Sequence, residues 1–442
     1  MSNHLCFMVF FFVLTMHSIC TTMDPEALVS NQPVLPTEKT ATAFRYAFFR
    51  SIEAAGADWD QAAPPDNLFL QRPYLSVLES NPPQGMRFGY LVFYQDGDPI
   101  GIAVCQIKFF KGDDNINEEE HGNSKDPCFF NGLAKWFKRW VAGKVAADIL
   151  ICGNMLLTGE HGFWFKAGSI SPEASAELLQ QALANVVATM EFEGNRIPVT
   201  LVKDLAPQRG PERDFLAQKG YTEFCIQPNM VMDLPYAGFD DYLSAMSTKY
   251  RTRAKRAFKK ANGIEKRELG LADIQRELPR IYALYSEIAR NAGFNMVDLN
   301  ENYIPALKRE LPEQFRLFAY YLDGKLIAFF TTLRNYDELD AHYLGLDKHL
   351  NHEHQLYLNI LYDIVRAGLD AGAKRIVFAR TALEIKSSVG AVAEELYCYL
   401  RHQNSLANKF TGKLLDYLKP VEEWQPRHPF KHGADGDEIA SE

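Results

Sequence analysis

The sequence predicts an α/β protein with mixed sheets, built from two tandem domains of one fold. Residues 315–379 read as strand, strand, strand, helix, strand, and Asp323-Gly324 separates the first two runs as a hairpin turn does. The same order occurs upstream, where Asp96-Gly97 separates two similar runs. A chain of 442 residues, 47% of them hydrophobic, is long enough and apolar enough for two such cores. The repeated order suggests that one domain was duplicated. Alternatively, it recurs by chance, because hairpins and β-α-β units are common.

The first domain is predicted over residues 43–235. Its long helix begins at Ser171-Pro172, where serine suits the N-cap and proline the first helical position. The other elements predicted for this domain are, in order, a helix over 43–55, a hairpin over 88–110 and strands over 197–202 and 221–234, the last of which closes the domain.

The second domain is predicted over residues 236–425, as the catalytic half, and opens with a basic helix. Residues 249–260 contain seven basic residues and no acidic one. On a helix one side is cationic and an adjacent stripe is apolar, so the helix can pack on the protein while it presents charge. This pattern favours an anionic ligand, with a solvated surface as the alternative. The cationic side comprises Lys249, Arg253, Arg256 and Lys260, and the apolar stripe comprises Tyr250, Ala254, Ala257 and Ala261. Two further helices are predicted over 274–289 and 303–310.

The ends of the chain carry separate signals. Residues 1–42 form an apolar segment followed by a loose tail, and no basic residue precedes Lys39. We expect an overextended start with Met23 as the functional beginning, and a secretion signal or membrane anchor stays open. Residues 426–442 are predicted to be a disordered tail, and the polar stretch over 111–131 a solvated insertion or a flap over a cleft.

Composition excludes several classes of protein. The net charge of −9 argues against a general nucleic-acid coat, although the basic helix leaves contact with an anionic membrane surface open. The seven cysteines are scattered without a CxxC pair, which predicts reduced thiols in a cytoplasmic protein. No metal site is predicted. His349, His352 and His354 are not accompanied by carboxylates or cysteines at the spacing of a known metal site.

With these residues in view, residues 43–420 resemble a tandem GNAT-type acyltransferase of the FemAB-like group. The resemblance is carried by residues 247–256 (STKYRTRAKR), by 342–346 (HYLGL), and by 356–363 and 372–382 followed by Lys386 and Gly390. It implies two GNAT-like domains and transfer of an acyl group from a thioester, on CoA or on a carrier protein, to an amine.

Two departures bear on the donor. Standard GNAT enzymes hold the CoA pyrophosphate on a glycine-containing turn at a helix N-terminus, whereas the matching turn over 347–355 has no glycine. Members that use aminoacyl-tRNA carry a long helical arm, for which residues 263–315 are too short and too interrupted. The alternatives are a non-catalytic binding module for cell-wall or lipid precursors, an aminoacyl-tRNA-dependent peptidoglycan-type transferase, and a nucleic-acid-binding protein.

The resemblance also implies a site near residues 343–345, where two parallel strands splay apart and backbone N–H groups polarise the acyl carbonyl. Tyr343 is the candidate proton donor or substrate contact, and His342 the candidate base. Strand alternation predicts His342 and Asp340 on one face and Tyr343 on the other, and packing is the alternative role for each ring. The candidates for substrate binding are Lys249, Tyr250, Arg251, Lys255, Gly345, Arg380 and Lys386, the last two for a carboxylate or phosphate.

Overall fold

The computed structural model describes residues 44–111, 146–291, 297–418 and 424–431. These residues form two compact units. Unit 1 comprises described residues from 1–226, 289–306 and 395–422, and unit 2 comprises those from 227–288, 307–394 and 423–442. The predictions for residues 1–42, and for the acidic insertion beyond Lys111, lie outside the described residues. Within the described ranges, no helix has both the length and the apolar character needed to cross a membrane.

Unit 1 takes its elements from both ends of the chain. From residue 44 to 224 they are β1 (Phe44–Phe49), α1 (Ile52–Ala62), a 3-10 turn (Leu68–Leu70), α2 (Arg72–Ser80), β2 (Met86–Gln95), β3 (Asp98–Lys111), β4 (Ala146–Cys152), β5 (Phe163–Phe165), α3 (Pro172–Phe192), β6 (Val199–Leu205), α4 (Gly210–Gln218) and β7 (Thr222–Phe224). At the predicted start of α3, Ser171 Oγ accepts a hydrogen bond from the Ala174 amide, so this N-cap is confirmed.

The second set of elements runs from residue 229 to 418. They are β8 (Asn229–Asp233), α5 (Phe239–Ala245), α6 (Thr248–Lys260), β9 (Glu265–Glu268), α7 (Leu271–Asn291), α8 (Tyr303–Glu310), β10 (Phe315–Leu322), β11 (Lys325–Asn335), β12 (Glu338–Leu346), α9 (Lys348–His354), α10 (Leu356–Asp370), β13 (Arg375–Ala379), α11 (Leu383–Ser387), β14 (Val392–Glu394), β15 (Tyr397–His402) and α12 (Ser405–Leu418). The last two belong to unit 1.

The two sheets repeat one topology. Sheet 1 has the order β1-β2-β3-β4-β6-β15-β7, with β5 beside β3, and sheet 2 has the order β14-β8-β13-β12-β11-β10-β9. In each sheet a hairpin is followed by an antiparallel strand, and a helical connection then leads to a strand that pairs in parallel, as β4 pairs with β6 and β12 with β13. The predicted mixed α/β class with two copies of one fold is therefore confirmed.

The hairpin turns are alike as well. Asp96-Gly97 has φ values of 52° and 105°, and Asp323-Gly324 has 49° and 74°. Two consecutive residues at positive φ match the twist of the flanking strands, and an Asp-Gly pair is the usual solution. The same local chemistry thus sets the hairpin of both units.

Sheet 1 also contains one strand from beyond its own stretch of chain. β15 follows the second set of elements, yet it lies between β6 and β7 in sheet 1. β8, which falls in the stretch expected to close the first domain, pairs antiparallel with β13 in sheet 2. The strand between β6 and β7 in sheet 1 is therefore encoded after every strand of sheet 2.

Two local predictions are corrected. Residues 44–49, expected in a helix, form β1, where an aromatic-rich run pairs along its whole length with β2. Residues 426–431, expected in a disordered tail, are ordered in unit 2. The half-buried Phe430 ring packs against Tyr236 and Tyr242, and the carbonyl of the buried Pro429 accepts a hydrogen bond from the Ser247 amide. Packing of this aromatic side chain offsets the polar composition of the segment.

Candidate functional site

The site in unit 2 is built around a gap between two parallel strands. β12 and β13 pair only from Glu338 and Arg375 to Asp340 and Val377. Beyond Asp340, β12 continues to Leu346 but no longer pairs with β13. We call this opening, bounded by residues 341–346 and 377–380, the gap.

A β-bulge shapes the β12 side of the gap. Phe330 pairs with Leu344 and Thr332 pairs with Ala341, so Thr331 alone faces both His342 and Tyr343. A bulge adds one residue and breaks the strict alternation of faces. The expectation that His342 and Tyr343 point to opposite faces is therefore wrong: their ring centroids are 4.5 Å apart.

Thr331 was missed by the sequence analysis, because its role depends on a partner eleven residues away. Its Oγ1 accepts a hydrogen bond from the Tyr343 amide at 2.9 Å and donates one to the Tyr343 carbonyl at 3.1 Å. The same oxygen lies 3.4 Å from His342 Nδ1. A fully buried hydroxyl thus satisfies both backbone groups that the bulge removes from the ladder.

The electrostatics of the gap favour uncharged side chains. Burial lowers the pKa of His342 to about 3, so the imidazole is neutral at physiological pH. Burial, together with the nearby Glu338 carboxyl, raises the pKa of Asp340 well above its usual range. Among the described residues, Asp340 Oδ2 has no hydrogen-bond partner. The last paired residue before the gap is therefore a buried acid whose pKa is raised.

Gly345 permits close packing of a helix. A Cβ atom at this position would lie 2.5 Å from the Phe329 ring and 2.7 Å from backbone atoms of Leu284 and Tyr285 in α7. Those backbone atoms cannot move aside as the end of a side chain could. The close approach expected at Gly345 is thus an approach of α7 and not of a substrate.

The predicted basic helix is α6, and its two faces are as expected. Tyr250, Ala254 and Ala257 are buried, whereas every cation except the half-buried Arg251 is exposed. Within the described residues, no carboxylate lies within ion-pair distance of the seven cations of α6. Tyr250 packs in the core of unit 2, so its predicted role as a substrate contact is replaced by one in packing.

α6 packs against the helices that follow the gap strand. Asn359 Nδ2 donates to the Ala257 carbonyl at 3.0 Å, and His354 Nδ1 lies 3.0 Å from the Lys260 carbonyl. The C-terminal half of α6 therefore lies beside α9 and α10. Lys260 Nζ also lies 3.4 Å from the His352 carbonyl, so the end of α6 reaches α9.

The turn that follows β12 already contains an anion from the chain itself. Asp347 caps α9, and its Oδ1 accepts a hydrogen bond from the His349 amide at 3.1 Å. Its Oδ2 lies 3.5 Å from a guanidinium nitrogen of Arg280. A carboxylate at this N-terminus disfavours a second anion there, in agreement with the missing glycine.

Lys386 and Arg380, predicted to bind a carboxylate or phosphate, are engaged with backbone carbonyls. Lys386 is 5% exposed, and its Nζ donates to the carbonyls of Phe378, Ala379 and Arg380 at 2.6, 3.1 and 2.6 Å. Burial lowers the pKa of Lys386 to about 7. Arg380 Nε donates to the Gln227 carbonyl at 2.8 Å. Lys386 is therefore placed to hold the end of β13 and not to meet solvent ions.

The three histidines of α9 do not form a metal centre with their neighbours. Across residues 44–111, 146–291, 297–418 and 424–431, no group of three histidine, cysteine or acidic side chains is arranged to hold a metal ion.

Comparison with known proteins finds a family match within the second half of the chain. The model of the acetyltransferase (GNAT) domain family matches residues 248–387, which span α6, the gap and Lys386. No curated protein sequence matches the chain.

Several solved structures share part of the fold at low sequence identity. FemX is 11% identical with a TM-score of 0.45, covering 76% of this chain and 96% of its own. A tandem GNAT protein from the clavulanic acid biosynthesis pathway is 10% identical with a TM-score of 0.46, covering 82% and 99%. L-PGS from Bacillus licheniformis is 12% identical with a TM-score of 0.41, covering 77% and 95%.

The family match falls on the same elements that carried the resemblance in the sequence, namely the basic helix, the strand before the gap and the segment through Lys386. Residues 248–387, within the second set of elements, are therefore similar to an acetyltransferase (GNAT) domain.

Proposed function

We propose that unit 2 transfers an acyl group from a thioester to an amine. The observation that carries this proposal is the end of β12–β13 pairing at Asp340 and Val377, beside the bulge that exposes one edge of Tyr343. A thioester laid in the gap would have its carbonyl oxygen beside the stretch of β12 that no longer pairs with β13. Preorganised hydrogen-bond donors stabilise the charge that develops on that oxygen in the transition state.

The reaction requires few groups from the protein. The neutral amine attacks the carbonyl carbon, the carbon–sulfur bond breaks, and the leaving thiolate takes up a proton while the amine nitrogen loses one. Tyr343 is half-buried at the gap, and its hydroxyl is the proton donor that we propose for the thiolate. With a pKa of about 3, His342 is too weak a base to take the amine proton, and we assign it an uncharged role as a hydrogen-bond acceptor.

The cations of α6 are proposed to bind the anionic part of the donor. The turn before α9 is already capped by Asp347, whereas the neighbouring face of α6 has exposed cations without carboxylate partners in the described part of the chain. Acyl-CoA, the donor of GNAT acyltransferases, carries phosphates that suit this face. An acyl carrier protein would present the same thioester with acidic side chains around it. We assign this role to Lys249, Arg251 and Lys255.

A donor comparison tests the proposal. The purified protein is incubated with a panel of primary amines and either acyl-CoA or an acyl thioester of N-acetylcysteamine, which lacks phosphates. Free thiol and amide are then measured by a thiol reagent and by mass spectrometry. We expect amine-dependent release of thiol, with a KM at least tenfold lower for acyl-CoA. Binding of acyl-CoA without turnover of any amine would instead indicate a non-catalytic binding module.

A further inference from the structure

The short segment over residues 424–431 joins two elements of the site in unit 2. At one end, the Arg427 amide donates to Ser387 Oγ in α11 at 3.0 Å, and the Arg427 guanidinium pairs with Glu384 of the same helix. α11 also contains Lys386, which holds the end of β13. At its other end, the segment meets the residues that lead into α6. It therefore links the β13 side of the gap to the basic helix.

Three hydrogen bonds tie this segment to the start of α6. The Ser247 amide donates to the Pro429 carbonyl at 2.8 Å, and the Lys431 amide donates to the Ala245 carbonyl at 3.1 Å. Lys431 Nζ donates to the Ser244 carbonyl at 2.7 Å. The segment thus pairs, as a short strand would, with the residues that precede the first turn of α6.

The Phe430 side chain anchors the segment. Its ring centroid lies 5.7 Å from that of Tyr236 and 5.9 Å from that of Tyr242. A Cβ atom at Gly390 would lie 2.6 Å from the Phe430 ring, so a side chain there would displace the ring. Gly390 is one of the residues on which the resemblance in sequence rests, and its place in the structure is to admit Phe430. Aromatic packing of this kind holds a segment that has few other apolar residues.

The first turn of α6 lacks the support that a helix N-terminus usually has. Its N-cap residue, Ser247, makes no side-chain capping hydrogen bond with any described residue. Lys249 and Arg251 place positive charge at the end of the helix where the macrodipole is already positive. Both cations are among those that we assign to the donor. The first turn is therefore expected to fray unless another part of the chain holds it.

We propose that residues 424–431 position the first turn of α6 for the donor, with Phe430 and Arg427 as positioning residues. The segment fixes Lys249 and Arg251 relative to α11, so that both cations are ordered before the anionic part of the donor arrives. Such preorganisation lowers the ordering cost of binding. This inference rests on the proposed function only where it concerns the donor, since the order of the helix can be measured without one.

The chain offers matched controls for both residues. Phe430→Ala removes the anchor, whereas Phe410→Ala removes a ring that is 58% exposed on α12. Arg427→Ala removes the ion pair with α11, and Arg427→Lys keeps the charge that makes it. Arg309→Ala removes an exposed ion pair within α8.

Hydrogen exchange of the full-length protein tests the positioning role. The amides of residues 251–253 donate back to the first turn of α6 and report its order. We expect them to exchange about tenfold faster in Phe430→Ala and Arg427→Ala, because the turn opens more often. Residues 257–260 should keep the wild-type rate, since α9 and α10 hold that end. The three control variants should exchange as the wild type does. Unchanged exchange over 251–253, or equal acceleration along all of α6, would overturn the proposal.

Donor kinetics give the second readout. We expect the KM for acyl-CoA to rise about tenfold in Phe430→Ala and Arg427→Ala with kcat unchanged, because the cations lose their fixed place. The KM for the N-acetylcysteamine thioester, which lacks phosphates, should not change. An unchanged KM for acyl-CoA, or an equal rise for both thioesters, would overturn the donor-positioning role. If the wild type transfers no acyl group, the proposed function fails, while the exchange result still decides whether the segment holds α6.

Discussion

The ring of Tyr285 meets the ring of Tyr343 edge-on, with centroids 5.6 Å apart and planes at 87°. Tyr285 lies on α7, and the close packing of α7 against Gly345 fixes its position relative to β12. The two rings therefore orient the Tyr343 side chain from the helix side, while Thr331 holds its backbone from the strand side.

Tyr343→Phe should lower turnover far more than stability. It removes only the hydroxyl and keeps the edge-on contact with Tyr285. Loss of a general acid costs roughly 100- to 10,000-fold in rate, so we expect kcat to fall at least 100-fold with little change in the denaturation midpoint. Tyr336→Phe, at a side chain that is 67% exposed, is the control. Full turnover in Tyr343→Phe would remove Tyr343 from the mechanism.

Charge reversal on α6 should weaken donor binding. The double variant Arg251→Glu, Lys255→Glu replaces the half-buried Arg251 and the exposed Lys255 with carboxylates. We expect the KM for acyl-CoA to rise at least tenfold, with a weaker dependence on salt, since fewer charged contacts remain to be screened. Steady-state kinetics at two ionic strengths measure both effects. Lys325→Glu, on the hairpin turn, controls for net charge, and an equal rise in its KM would contradict a specific site.

Gly345→Ala should destabilise unit 2. The added methyl group would lie 2.7 Å from backbone atoms of Leu284 and Tyr285, so α7 must shift. Overpacking of this kind costs about 1–3 kcal/mol, measured as a lower denaturation midpoint at constant slope. Gly238→Ala is the matched control, because nothing lies within 4 Å of its Cβ position and its φ of 178° suits any residue. Equal midpoints for the two variants would refute close packing at Gly345.

The free energy of unfolding should decrease as the pH falls through a range that is set by the pKa of His342. Its pKa is about 3 in the folded protein and near 6.5 when unfolded, so from pH 6.5 to 3 the unfolded state binds more protons. The free energy of unfolding therefore decreases as pH falls through this window. His342→Gln should remove on the order of 1–3 kcal/mol of that decrease.

A second histidine provides the comparison. Burial lowers the pKa of His161 in unit 1 to about 4, so His161→Gln should flatten the profile only from pH 6.5 to 4. Urea denaturation at pH 7, 5, 4 and 3.5 separates the two windows. A wild-type slope that persists in His342→Gln between pH 4 and 3.5 would contradict the assignment.

The amino-acid sequence predicts those features that depend on neighbours along the chain. Asp96-Gly97 and Asp323-Gly324 define their hairpins locally, Ser171 caps its helix, and α8 (Tyr303–Glu310) has the bounds that its apolar spacing predicts. The family match likewise falls on motifs that are contiguous in sequence.

Features that depend on residues far away in the sequence could not be predicted from the sequence alone. The bulge at His342 and Tyr343 requires Thr331 on another strand, and simple alternation therefore assigned the rings to the wrong faces. From the sequence, Lys386 is a cation that could bind a ligand. Only the structure shows that its Nζ donates to backbone carbonyls at the end of β13. The apolar residues from Phe44 to Phe49 are spaced in a way that suits a helix or a strand. Pairing with β2 makes this segment a strand.

The placement of β15 has a consequence for biosynthesis. Sheet 1 cannot receive the strand between β6 and β7 until residue 402 has left the ribosome, although its first strand begins at residue 44. The edges of β6 and β7 thus stay uncovered by β15 while residues 225–402 are synthesised. Chaperones that bind exposed strands are expected to act on this nascent chain, and its final folding is a late event rather than a stepwise one.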